Sequence, residues 1–275
     1  MNNIKVFMLL AAMTALFGVV GGSIGGKTGM LIALAVAAVM NFVMYFKSGK
    51  MVLKAYKARI ITEQEAPELY TIVKRLSQKA GLPMPTVAIA PQQQSNAFAT
   101  GRNPEHAVVC VTEGIMNTLN QDELEGVLAH ELGHVKNRDM LLQTITATFS
   151  GAITNLARFG MYSGGRGGRG SSLGPLFALV APFGAMIVQF AISRQREFKA
   201  DRSGAEISGK PLALASALEK LQQSANRIPM DISPSVAPLA QVNPLSALKG
   251  MSKLFSTHPS TEERISRLRE IAAEQ

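Results

Sequence analysis

The chain has 275 residues, of which 47% are hydrophobic and 17% charged, with a formal net charge of +9. This is apolar for a soluble protein, and the length allows one or two domains. The single cysteine, Cys110, excludes an internal disulfide, and without an Arg-rich arm or interleaved aromatic and basic residues the positive balance does not point to nucleic acid.

Four uncharged apolar runs organise the chain, at residues 6–26, 28–46, 140–157 and 171–193. Each is about as long as a helix crossing ~30 Å of hydrocarbon. Four together argue against buried core helices, so the sequence predicts a multi-pass protein in a lipid bilayer. The first run is not read as a cleaved leader, because "VVGGSIGGK" leads directly into the second and predicts a hairpin. Lys47, Lys50, Lys54, Lys57 and Arg59 follow the second run, Lys136 and Arg138 precede the third, and Arg194, Arg196 and Lys199 follow the fourth. Those flanks are expected on the cytoplasmic side. Arg158, Arg166 and Arg169 in the Gly-rich loop between the third and fourth runs oppose this pattern and leave a shallow membrane hairpin as an alternative.

Between the second and third runs, "TEQEAPELYTIVKRLSQKAGLP" predicts a helix capped by Thr62 with Glu65 and ended by Gly81 and Pro83. "TVAIA", "NAFAT" and "AVVCVT" predict short strands of one small sheet, with Cys110 a buried hydrophobe in the last. A helix follows through "TLNQDELEGVLAHELGHVKNRD", with Asn120 as N-cap. After the fourth run comes a helical tail. It is interrupted by the irregular "RIPMDISPSVAPLAQVNP" and closed by a helix that Ser260 caps with Glu263.

Within "HELGHVKNRDM", His130 and His134 stand four residues apart and share a helix face, so both imidazoles can bind one Zn²⁺. Glu131 lies about 100° round the helix, placed to act on a metal-bound water without binding the metal. A catalytic zinc needs a third protein ligand and an open position. "SRQREFKADRSGAEIS" offers Glu197 and Asp201 on one face, one to bind metal and the other to orient an imidazole; a solvated charged face is the alternative. The His130 helix is expected to run on into the third apolar run, and the fourth to run on into the helix of Glu197. An antiparallel hairpin would then bring both ligand sets to one height near the membrane surface.

"HELGH", "EFKAD", "NAFATG" and "HPSTEERI", with the four apolar runs, resemble the HtpX-type membrane metallopeptidases, relatives of the type I CAAX prenyl proteases. The resemblance covers nearly the whole chain. It implies His130, His134 and Glu197 as ligands of one Zn²⁺, Glu131 as general base, and Asp201 as an outer partner of a ligand histidine. It further implies His258 as an oxyanion donor, Arg264 in a supporting role, and Asn96 and Ala97 in the substrate groove. The substrate would add as a strand near "AVVCVT".

The resulting expectation is a mainly α protein with a small β-sheet, a multi-pass membrane protein whose zincin-like catalytic domain lies at the cytoplasmic surface of a bacterial inner membrane. Its parts are a transmembrane hairpin (1–46), a catalytic part with sheet and metal helix (47–139), a second membrane hairpin (140–193) and a catalytic tail with the third ligand (194–275). The expected activity is zinc-dependent endopeptidase action on membrane-protein or unfolded polypeptide substrates, in quality control. A prenyl-protein processing protease and a non-catalytic zinc scaffold are the alternatives.

Overall fold

The computed structural model describes residues 2–149, 194–228, 239–241 and 259–275. Residues 150–157 of the third apolar run, the Gly-rich loop with its three arginines, the fourth apolar run and His258 lie outside the described residues.

The first helix, α1 (Asn2–Ala55), is two legs joined at a break. Gly25 (φ −130°, ψ 20°) and Gly26 (φ 57°, ψ −145°) leave helical geometry, the second in the region only glycine enters freely. The legs then pack antiparallel so closely that a Cβ on Gly21 would stand 2.5 Å from the Gly29 carbonyl oxygen. Asn41 Nδ2 reaches across to the Leu10 carbonyl at 3.2 Å and the Thr14 hydroxyl at 2.8 Å. Phe7, Val19, Ile24, Leu31 and Phe42 point outward and stand exposed. The segment Ile4–Ala55 is long and apolar enough to cross a membrane.

A four-stranded mixed sheet follows, from β1 (Arg59–Ile60), β2 (Thr86–Ala90), β3 (Ala97–Thr100) and β4 (Val108–Thr112). The order is β1-β2-β4-β3. β4 pairs parallel with β2 and antiparallel with β3, so both its edges are filled. A peptide therefore cannot add along "AVVCVT". Among the described strands the outer ones are β1 and β3, and β3, beside β4 and against the metal helix, replaces β4 itself as the docking strand.

Helix α2 (Pro67–Ala80) begins later than the sequence predicts. Thr62 and Glu65 do bond, with the Thr62 N–H donating to Glu65 Oε2 at 2.7 Å, but they form a turn ahead of the helix. Pro67 fits the first helical position, where a backbone N–H has no partner to lose. After a short α3 (Glu113–Thr118), α4 (Gln121–Asn137) starts on a capping box between Asn120 and Glu123. α4 is the central element and is buried along most of its length. Leu69, Val73 and Leu76 of α2, Val109 and Val111 of β4, and Leu214, Leu218 and Leu221 of α7 (Pro211–Arg227) pack around its Val127, Leu128 and Leu132.

α4 does not run on into the third apolar run. Arg138 takes a left-handed conformation (φ 55°, ψ 37°) and its N–H closes the helix on the His134 and Val135 carbonyls. The chain restarts as α5, whose described part is Met140–Phe149, buried from its first residue. The expected continuous helix is thus broken at one residue, directly beside the metal motif. α6 (Arg194–Ser208) lies against α4, and α8 (Thr261–Ala273), capped by Ser260, closes over α6 and α7.

Candidate metal centre

α4 presents His130 and His134 to α6, and α6 presents Glu197 back. Glycines set the spacing. A Cβ on Gly204 would lie 2.8 Å from the His130 backbone nitrogen, and one on Gly133 would lie 3.1 Å from the Ala200 carbonyl oxygen. At Gly204 only hydrogen lets the helices approach this far, and at Gly133 a methyl would be tight.

The two imidazoles meet edge to face, with their Nε2 atoms 3.0 Å apart. Glu197 Oε2 is 3.8 Å from His130 Nε2, and Glu197 Oε1 is 3.8 Å from His134 Nε2. The three donors lie within 4.8 Å of one another and all three residues are buried. Two nitrogens and a carboxylate oxygen converging out of water, with no hydrophobic filler between them, are a donor set for one divalent metal ion.

Each histidine turns its other nitrogen to a carboxylate. His130 Nδ1 donates to Asp201 Oδ1 at 2.9 Å, and His134 Nδ1 donates to Asp139 Oδ1 at 3.0 Å. These bonds fix both rings with Nε2 facing the ion site. Arg264, fully buried, holds Asp201 in turn through Nε at 2.9 Å and Nη2 at 2.6 Å. Burial raises the Asp201 carboxyl, but Arg264 and His130 outweigh it and hold the group below the usual carboxylate range. Burial depresses His130. It acts on His134 too, but Asp139, Glu197 and Glu131 together push that ring up to about 10.

Glu131 is buried beside the donors without joining them. Its Oε2 accepts the Ala99 backbone N–H of β3 at 2.6 Å, and its Oε1 accepts from Gln241 Nε2. Burial pushes its carboxyl up to about 7. A group that exchanges a proton near neutral pH is what general acid–base work requires.

The remaining expected residues fall as follows. Asn96 is buried at the start of β3; its Oδ1 accepts the Gln241 N–H at 3.1 Å and its Nδ2 donates to the Tyr56 hydroxyl at 3.3 Å. Ala97 is on β3, two residues from Ala99 and hence on the same outer edge. Arg264 stands behind Asp201 rather than on the groove, which makes it a positioning residue in this geometry. Sequence reasoning missed Asp139 and Gln241. The signal for Asp139 was present, an acid five residues after His134; Gln241 sits in the irregular Pro-rich stretch and gave none.

With this geometry established, comparison with known proteins is direct. Residues 63–272 match Peptidase family M48. The chain belongs to that family. Among similar M48 relatives, a Protease HtpX homolog of Gemmatimonas aurantiaca is 59% identical over 279 residues, covering 99% of this chain and 100% of the relative. Another from Desulfatibacillum aliphaticivorans is 54% identical, covering 97% and 89%, and one from Ralstonia pickettii is 52% identical, covering 98% and 97%. The resemblance to HtpX-type peptidases drawn from the motifs therefore stands. The crystal structure of S. mikatae Ste24p has a similar fold, with a TM-score of 0.50 at 19% identity, over 96% of this chain and 67% of that one.

Proposed function

We propose that this M48 peptidase is a zinc-dependent endopeptidase of a bacterial inner membrane, multi-pass, with a zincin-like site facing the cytoplasm. The observation that carries this is the convergence of His130, His134 and Glu197 within 4.8 Å with a buried, proton-exchanging Glu131 beside them. Donor separations of 3.0 and 3.8 Å bracket the roughly 3.3 Å that tetrahedral bonds of ~2.0–2.1 Å imply, so zinc fits. When bound, zinc acts as a Lewis acid on the scissile carbonyl and makes a water acidic near neutral pH.

The chain's own residues do the rest. The outer edge of β3 offers the backbone groups of Ala97 and the Ala99 carbonyl to an extended polypeptide, and Asn96 can bond its main chain. Glu131 takes the proton of the attacking water on a carboxylate oxygen and returns it to the leaving nitrogen. Asp139 and Asp201 keep the imidazoles oriented throughout. His258, carried by the resemblance, would donate to the oxyanion. Backbone recognition next to an apolar hairpin supports unfolded and membrane-protein substrates, and a role in quality control.

The test is cleavage of an unfolded membrane protein by the purified full chain, with metal content measured beside it. Glu131→Gln should keep zinc and lose cleavage. Residual activity within tenfold of wild type removes Glu131 as base. A requirement for a lipidated peptide would favour prenyl-protein processing, and zinc without any cleavage would favour a scaffold.

A further inference from the structure

The free space in front of His130, Glu131, His134 and Glu197 is about 10 Å³. That is at the lower limit for one water and far too little for a peptide. The cleft is filled by Leu239, Ala240 and Gln241, which are 5%, 3% and 3% exposed. Leu239 stands in a 3₁₀ turn, and Ala240 and Gln241 follow it in a bend outside the sheet. Leu239 packs with Tyr56 and Phe98. The Gln241 N–H donates to Asn96 Oδ1 at 3.1 Å, and its carbonyl accepts from Arg264 Nη1 at 2.8 Å. Its side-chain amide donates to Glu131 Oε1.

Two of these contacts use groups that the hydrolytic reading assigns to the substrate or to water. A backbone N–H occupies Asn96, and an amide occupies the oxygen of the base. A peptide on the β3 edge and a water on Glu131 need the volume this segment fills.

We propose that residues 239–241 are an internal competitor for the substrate cleft, pinned on Glu131 by Gln241, and that a polypeptide is cut only after displacing them. The inference rests on Glu131 as base and β3 as the docking edge. The polar contacts to Asn96 and Glu131 are ones that an extended chain can replace with its own backbone hydrogen bonds. A folded segment, its backbone already paired, gains nothing by the exchange. Gln241 thereby sets a threshold that separates unfolded from folded neighbours.

The experiment uses the full chain in detergent and one short unstructured peptide. Gln241→Ala removes the amide on Glu131 but keeps the backbone, and should raise kcat/KM about tenfold, the scale of one hydrogen bond to a charged group. A second readout is independent of activity. Cys110 is the chain's one cysteine and is buried, so Ala240→Cys supplies a single reporter thiol. Its alkylation in metal-free protein should be slow, and faster in the Gln241→Ala background. With Glu131→Gln to prevent cleavage, added peptide should also speed it. Slower cleavage in Gln241→Ala, or a peptide that protects the thiol, would make the segment a fixed wall of the cleft and overturn the proposal. If no variant cleaves anything, the hydrolytic reading fails on its own, and the alkylation rate in Gln241→Ala still decides whether the segment opens.

Discussion

Asp139 Oδ1 lies 3.0 Å from His134 Nδ1, and the residue between helix and aspartate, Arg138, is left-handed. The turn exists where it brings the carboxylate back onto the ring five residues earlier. Asp201 does the same for His130 from a different helix. The two histidines of one motif are thus oriented by independent parts of the chain.

Asp139→Ala should therefore weaken zinc binding 10–100-fold, as should Asp201→Ala, because each loses one orienting bond. Glu197→Ala, which removes a donor, should leave the site empty at micromolar zinc. Competition with a chelator measures all three. Wild-type affinity in Asp139→Ala would reduce its contact with His134 to packing.

Metal binding should expel protons. With His134 pushed up to about 10, its ring is charged at pH 7 in the metal-free chain, and the ion needs the lone pair on Nε2. Calorimetry of zinc binding in buffers of different ionisation enthalpy should give at least one proton released per ion at pH 7, one from His134 and a fraction more from Glu131. Affinity should rise with pH over the neutral range and flatten above that pKa. Zero proton release would show that His134 is already neutral.

Gly204→Ala should damage the site more than the fold. The added methyl would sit 2.8 Å from the His130 nitrogen and 2.9 Å from its Cα, both backbone atoms that cannot swing aside. α6 must retreat, carrying Glu197 from the histidines. Overpacking of this kind costs about 1–3 kcal/mol, while a displacement beyond about half an ångström is enough to disable a metal site. We expect zinc affinity to fall at least tenfold with the chain still folded. Gly133→Ala, whose nearest atom is at 3.1 Å, should do less. Unchanged zinc affinity in Gly204→Ala would show that the helices have slack.

Glu131 offers a pH test of the mechanism. Its carboxyl stands at about 7 through burial, and a cation held by the neighbouring donors favours the ionised form. The rate needs the carboxylate, so kcat/KM should fall as pH drops, with a midpoint below about 7. An acid limb centred well above 7 would assign the titration to another group.

Much of this was legible because its signals are local. The metal helix declared itself by the i, i+4 histidines and by Asn120 as N-cap, and the last helix by Ser260 with Glu263. Strands β2, β3 and β4 followed from short apolar runs between turn residues. What failed was tertiary. A left-handed residue is usually glycine or asparagine, and Arg138 gave no warning that α4 would stop. Strand order is set by pairing between distant segments, so the outer edge at β3 was invisible. Gln241 acquires its place from Asn96, Glu131 and Arg264, none nearby in sequence.

The hydrogen bonds of Asn41 bear on how the protein is made. Ribosomal synthesis delivers the first leg of α1 before the second. An amide with no partner in hydrocarbon is costly, so the second leg should enter the bilayer poorly alone. Once the Leu10 carbonyl and the Thr14 hydroxyl are alongside, the amide is satisfied. In the proposed arrangement, with both legs crossing a bilayer, the first leg would then serve as an insertion partner for the second, and the pair would enter as one unit. A chain whose first leg is exchanged for an unrelated apolar anchor would keep its hydrophobicity yet lose this matching, and its defect would surface during biogenesis, before any substrate is met.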